Sequence, residues 1–316
     1  MINGSRSGVL DSVFDRAGLA VIERGWLSSN NILFAGDEHN GPVLVDSGYS
    51  SHSEQTVLLV KRMLGGSLLQ RVVNTHLHSD HCGGNFALQS AFNCTIDIPR
   101  GSASTVDGWL EDRLTYRATG QVCPRFVRDG LLHDGGLARL GSHDWQVIAT
   151  PGHDQESLVY YQPEFRILIS ADALWEDGFG VVFDELQCIP AFDKTRRTLD
   201  RLSSLEVDWI IPGHGRPFQG LAEAICKAQR RLEAFEANPK RHARYAAKVL
   251  IKFHLLEHEM VQLVDLQKWL ESTEYFRITH RLHFGTTSFD DWWLLLLDDL
   301  GKSGALISDG SVVRNV

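Results

Sequence analysis

The chain has 316 residues, 43% of them hydrophobic and 22% charged, with a formal net charge of -9. That length buries a sizeable core, in one large domain or two smaller ones, and the composition excludes a disordered or low-complexity protein. The acidic balance argues against a nucleic-acid surface, and five cysteines, an odd number without metal-type spacing, fit a reducing compartment better than a disulfide scaffold.

At the start, Met1–Gly8 lacks the apolar segment of a secretory signal, and no run approaches the roughly 18 apolar residues that span a membrane. A cytoplasmic location without membrane contact is expected. Apolar runs predict strands near 18–25, 31–35, 42–46 and 70–75, with a helix over 53–64 capped by Ser53. Further strands are expected near 145–149, 158–162, 167–170 and 208–211, and a helix over 193–204 capped by Asp193. This alternation indicates α/β layering. From Leu221 the period becomes helical: Leu221, Ile225, Leu232 and Phe235 form one stripe, which Pro239 ends. A second helix carries Tyr245, Val249, Phe253 and Leu256 on one face, and two more are expected around 261–271 and 289–300. Asp309-Gly310 between short apolar runs signals a terminal hairpin. The basic stretch from Lys227 to Lys252 reads as a solvated helix face, and His254 and His258 as structural or surface groups.

Metal-binding groups concentrate at strand ends. The run Thr75-His76-Leu77-His78-Ser79-Asp80-His81 follows Arg71–Asn74, and apolar runs lead likewise into His153, Asp172 and His214. Side chains that alternate off a strand end let His76 and His78 share one ion and leave Asp80 and His81 free to turn toward a second. Imidazole and carboxylate donors suit zinc and its first-row neighbours.

The pattern H-x-H-x-D-H, followed by Gly-His, Asp and Gly-His, resembles the metallo-β-lactamase fold superfamily over about residues 15–220. Gly83-Gly84-Asn85 and Thr150-Pro151-Gly152-His153 are most similar to its glyoxalase II branch. The resemblance implies an α/β fold, an αββα sandwich of two mixed sheets with a dinuclear site along one edge. Residues 1–220 would form that catalytic domain, and residues 221–316 a mainly helical, winged-helix-like appendage. Carried over by motif, His76, His78 and His153 hold one divalent ion, Asp80, His81 and His214 the other, and Asp172 bridges both. Zinc is the first choice, with iron or manganese admissible. Asp46 matches the family's Asp-x-Gly and would orient a ligand; the alternative is a turn aspartate before Gly48. Cys82 matches no family ligand and is read as a small buried residue.

The implied chemistry is hydrolysis, with hydroxide held between the ions attacking a carbonyl or phosphorus and Asp80 accepting a hydrogen bond from it. Asp172 argues against a β-lactamase, whose pattern generally lacks the bridging aspartate. Trp175 replaces the tyrosine that lactonases of the family carry, and His78 replaces the carboxylate of the oxygen-reducing diiron relatives. A small-molecule thioester or ester is the leading substrate. The alternatives are a nuclease or phosphodiesterase whose C-terminal module grips RNA or DNA, a lactonase, and a binding protein without rapid chemistry. In the loop Leu174–Phe183, Trp175 and Phe179 are the candidate pocket residues, or else they simply cover the core. A homo-oligomer stays open.

Overall fold

Strands that are apolar on both faces need cover on both sides, and a pleat sends alternate residues to opposite layers. The computed structural model describes residues 13–316, so Met1–Gly8 lies outside the described residues. One sheet runs in sequence order through β1 (Leu19–Ile22), β2 (Asn31–Phe34), β3 (Val43–Val45), β4 (Arg71–Val73), β5 (Thr95–Pro99) and β6 (Gly130–Leu132). It is antiparallel from β1 to β3 and parallel from β3 to β6. The second holds β7 (Leu137–Leu140), β8 (His143–Ala149), β9 (Leu158–Gln162), β10 (Ile167–Ala171) and β11 (Trp209–Pro212), in the order β11-β10-β9-β8-β7. Only its β10–β11 pair is parallel.

The two sheets close on Phe34, Val43, Val45 and Val73 from one side and Trp145, Val147, Tyr160, Ile169 and Ile211 from the other. Leu44 and Val72, one residue out of step, face the opposite layer, where α1 (Ser53–Leu64) and α2 (Asn85–Phe92) supply Val60, Leu88 and Phe92. On the far side Leu168 and Ile210 meet Leu199 and Leu202 of α3 (Phe192–Ser203) and Leu221, Ile225 and Leu232 of α4 (Leu221–Ala237). The mixed two-sheet sandwich with outer helices, followed by a helical region, is the fold that the family resemblance implied.

Three strands of the sandwich went unread. β5 alternates Ile96 and Ile98 inward, but Asp97, which takes Arg71 at 3.3 Å, breaks its apolar run. β6 and β7 are three and four residues long, too short for a period to emerge. Neither expected cap holds. Ser53 is already inside α1, where His52 takes the cap position with no side-chain bond. Helix α3 begins at Phe192, and Glu185 accepts the amides of Ala191 and Phe192, the latter at 2.8 Å. A carboxylate from another turn thus satisfies the free N–H groups expected of Asp193.

Beyond α4 the chain forms α5 (Pro239–His258), β12 (Met260–Gln262), α6 (Leu263–Ser272), α7 (Glu274–Thr279), α8 (Phe289–Lys302), β13 (Leu306–Ser308) and β14 (Val312–Asn315). The hairpin forms as expected, with Asp309 accepting the amides of Ser311 and Val312 at 2.9 Å each. The helix expected from 261 starts at Leu263, because Met260–Gln262 pair with Val312–Arg314 as a third strand. Helix α7 was not foreseen. Leu250, Ile251 and Leu255 of α5 pack with Leu266, Leu270, Phe276, Trp292, Leu296 and Val313 into a separate core.

His242 joins α5 to the sandwich. It is 1% exposed, accepts the Val182 amide at 3.2 Å and lies against Phe192 and Phe235. Burial first, then Arg231, depresses its pKa to about 3. The unfolded chain therefore takes up this proton first as the pH falls through about 6.5, and stability drains from there downward. By pH 5 the loss from this one group approaches about 2 kcal/mol. His242→Gln keeps the acceptor and removes the titration. Urea unfolding at pH 7 and pH 5 is expected to show a flatter acid dependence in the variant; equal pH slopes in both proteins would refute the assignment.

Candidate metal centre

The direction of the strands decides where the side chains meet. Strands β3 and β4 are parallel, and β8, β10 and β11 share one sense because β9 is antiparallel to both its neighbours. Their C-terminal ends therefore deliver Asp46, His76, His153, Asp172 and His214 to one edge. A helical turn, Ser79–Cys82, follows β4 and turns Asp80 and His81 inward. The backbone is strained there: Asp46 and Ala171 adopt φ of 56° and 46°. Gly213 and Gly180 are needed for space, since a Cβ would stand 2.1 Å from Asp172 Oδ1 and 2.4 Å from His153 Nδ1, respectively.

All seven expected donors come together, in two groups. One is His76, His78 and His153; the other is Asp80, His81, Asp172 and His214. In the first, His78 Nδ1 faces His76 Nε2 at 3.1 Å and His153 Nε2 at 2.8 Å. His153 Nδ1–H donates to the Val181 carbonyl at 2.6 Å, which leaves the Nε2 lone pair aimed into the group. Burial, with His81, His78 and His153 alongside, pushes the pKa of His76 far down, and burial takes those of His78 and His153 to about 4. Three neutral imidazoles converge here.

The second group has the opposite electrostatics. Burial opposes charge on Asp172, yet His81 and His214 hold its carboxyl well below the usual range. Burial likewise opposes charge on His81, but Asp172, Asp46 and Asp80 outweigh it and hold the pKa well above normal. His81 Nε2 is buried without a hydrogen-bond partner, 3.4 Å from Asp172 Oδ1. His214 Nδ1–H donates to the Gly25 carbonyl at 3.1 Å, and its Nε2 faces Asp80 Oδ2 at 3.0 Å. Both groups fit metal ions. An orphaned nitrogen facing carboxylates, beside three converging imidazoles, is a donor set that needs cations.

Asp46 is more than a turn residue. Its carboxylate, 2% exposed, accepts His81 Nδ1–H at 2.7 Å, the Thr75 amide at 2.9 Å and the Thr75 hydroxyl at 2.7 Å. Held so, His81 presents Nε2 inward. Cys82 turns away, its Sγ donating to the His78 carbonyl at 3.3 Å and facing Tyr116. His254 stacks on Trp269 with ring centres 4.0 Å apart and joins no cluster of three donors among the described residues.

A cavity of about 170 Å³ opens over the two groups. Trp175 lines it and donates Nε1–H to Asp172 Oδ1 at 3.2 Å. Phe179 does not: it is 1% exposed, packed on Phe235 in the core beneath α4. Its ring is taken up by that core, so the pocket expectation fails for this residue. Sequence reading missed Trp26, which stacks on His214 at 5.3 Å, and the wall that α5 supplies through Tyr245, Val249, Leu250, Phe253 and Leu256. The stripe Tyr245, Val249, Phe253 was visible; that it faces a cavity was not.

Comparison with known proteins agrees with this fold. The sequence profile described as the Metallo-beta-lactamase superfamily matches residues 24–214. A hydroxyacylglutathione hydrolase of Rhizobium meliloti is 29% identical over 46% of this chain and 48% of its own length. A solved beta-lactamase domain protein from Burkholderia ambifaria superposes with a TM-score of 0.57 at 21% identity, over 94% of this chain and 92% of that one. A different protein, solved in a di-iron-bound form, is 26% identical with a TM-score of 0.52, over 66% of this chain and 98% of that one. The chain spans about half the length of the curated relatives it matches.

Replacing Asp46 by Asn removes the charge that orients His81. Metal affinity is expected to fall by about 10–100-fold in a chelator competition, with the far-ultraviolet dichroism unchanged. Unaltered affinity would reduce Asp46 to a turn residue.

Proposed function

The chain belongs to the metallo-β-lactamase superfamily, and from that premise we propose that it is a dinuclear metal-dependent hydrolase of a small-molecule thioester or ester. The carrying observation is the position of Asp172, whose two oxygens each lie 3.4 Å from an imidazole of a different group, His81 and His153. In this reading His76, His78 and His153 would hold one ion and Asp80, His81 and His214 the second, with Asp172 within reach of both. Zinc is the first candidate, and iron or manganese suits the same donors.

Divalent ions bound there supply Lewis acidity and ionise water near neutral pH. The chain's own groups position the reactants. Asp80 lines the cavity and accepts a hydrogen bond from the attacking water, directing it at the carbonyl. Trp26 and Trp175 close the side next to His214, while Val249, Leu250, Phe253 and Leu256 exclude solvent and accept an apolar acyl group. Residues 1–220 carry the metal ligands, and the appended residues 221–316 complete the cavity through α5. A relative named hydroxyacylglutathione hydrolase favours an acyl substrate over a phosphodiester.

The test is a panel of S-acyl thioesters, lactones, bis-aryl phosphodiesters and single-stranded RNA, with metal content measured on the same sample. Thioester turnover, abolished by a chelator and restored by zinc, is the expected result. RNA cleavage without thioester turnover would replace the reading with a nuclease, and full metal with no turnover would leave a binding protein. Trp175→Ala at full metal content is expected to lower kcat/KM about tenfold, the loss of a contact worth about 1.4 kcal/mol. An unchanged value on every active substrate would remove Trp175 from the pocket.

A further inference from the structure

Arg241, Arg244 and Lys248 lie three and four residues apart on α5 and share one of its faces. With Arg231 of α4, and with Phe235 and Tyr245, they line a groove of about 400 Å³. Three of these cations are held by neighbours. Asp299 ties Arg244 at 2.7 Å and Lys248 at 3.5 Å. The guanidinium of Arg231 lies over Tyr245 at 4.4 Å and Phe235 at 5.5 Å, and it donates to the Asp177 carbonyl at 3.3 Å. Three cations are thus held in one place, with the exposed Arg241 beside them, against the carboxylate of Asp299, a surplus of positive charge in a chain whose net charge is -9.

The groove adjoins the metal cavity. Tyr245 lines both, and Trp26, Trp175, His214 and Arg231 wall the passage between them. Glu176 and Asp177 also stand in that passage, Asp177 already paired with Lys227 at 2.9 Å. A ligand with its carbonyl at the metal edge and its acyl group against α5 sends its other end past Tyr245 to the cations.

We propose that this groove binds the phosphate groups of the leaving group, so that the substrate class is an acyl thioester or ester of a phosphate-bearing, nucleotide-like carrier. The inference rests on the hydrolase reading above and narrows it. Guanidinium groups in fixed orientation suit phosphate oxygens, and a single carboxylate on the leaving group would leave most of this charge unmatched. In the reaction, the oxygen of water joins the acyl carbon and the bond to the carrier's sulfur or oxygen breaks. The carrier departs as thiol or alcohol with one proton, and the acid product releases the other.

The metal-loaded full chain is assayed with an acyl-coenzyme A and with the N-acetylcysteamine thioester of the same acyl group, which has no phosphate. The expected preference for the first, in kcat/KM, is at least about tenfold, and Arg241→Ala/Lys248→Ala reduces that ratio about tenfold through KM. A ratio near one in the natural protein, or one unaltered in the variant, overturns the groove's role while the hydrolase reading stands. Calorimetric titration with adenosine bisphosphate needs no turnover. Saturable binding that weakens about tenfold in the variant supports the groove even if neither thioester is cleaved, an outcome that would sink the hydrolase reading alone. No saturable binding, or tighter binding of single-stranded RNA than of the mononucleotide, overturns the proposal.

Discussion

A buried and a half-buried carboxylate and five buried imidazoles crowd one edge of the sandwich, and their free lone pairs face one another. Such an arrangement is costly unless cations occupy the space between them. The surrounding structure serves this constraint. Asp46, Val181 and Gly25 fix which ring nitrogen of His81, His153 and His214 points inward. Gly213 and Gly180 let the backbone approach closely enough for Asp172 and His153 to take their places. Positive φ at Asp46 and Ala171 is local strain concentrated where function needs a precise direction.

The site is asymmetric in charge. Three neutral histidines stand on one side and two carboxylates on the other, so the two positions differ in the ions and ligands they favour. The same asymmetry extends outward. The cavity wall on α5 is apolar at Val249, Phe253 and Leu256, whereas the continuation past Tyr245 is basic. One helix from beyond residue 238 thus lines both the cavity and the basic groove. It is anchored through His242 and through the Tyr49 hydroxyl, which donates to Glu257 at 3.0 Å.

Much of this was legible along the chain. The seven donors each follow an apolar run, and strand ends are where a layered α/β fold gathers polar groups, so their order alone marked the site. Long or strongly periodic elements such as α1, α3, α4 and α5 also declared themselves. The short strands β6 and β7, the cap that Glu185 supplies to α3, and the inward turn of Phe179 did not. Each depends on partners distant in sequence, and periodicity over a few residues carries no information about them.

By itself, then, the amino-acid order determined the donor set, the layering and the change to helices after residue 220, because ligand chemistry and hydrophobic period are local properties. Only the tertiary structure decided which aromatic residue faces the metals, that α5 closes the cavity, and that four cations from two helices meet in one groove. Those outcomes follow from α4 packing on the second sheet and α5 on α4 and the C-terminal core, a long-range balance of buried surfaces that no single segment encodes.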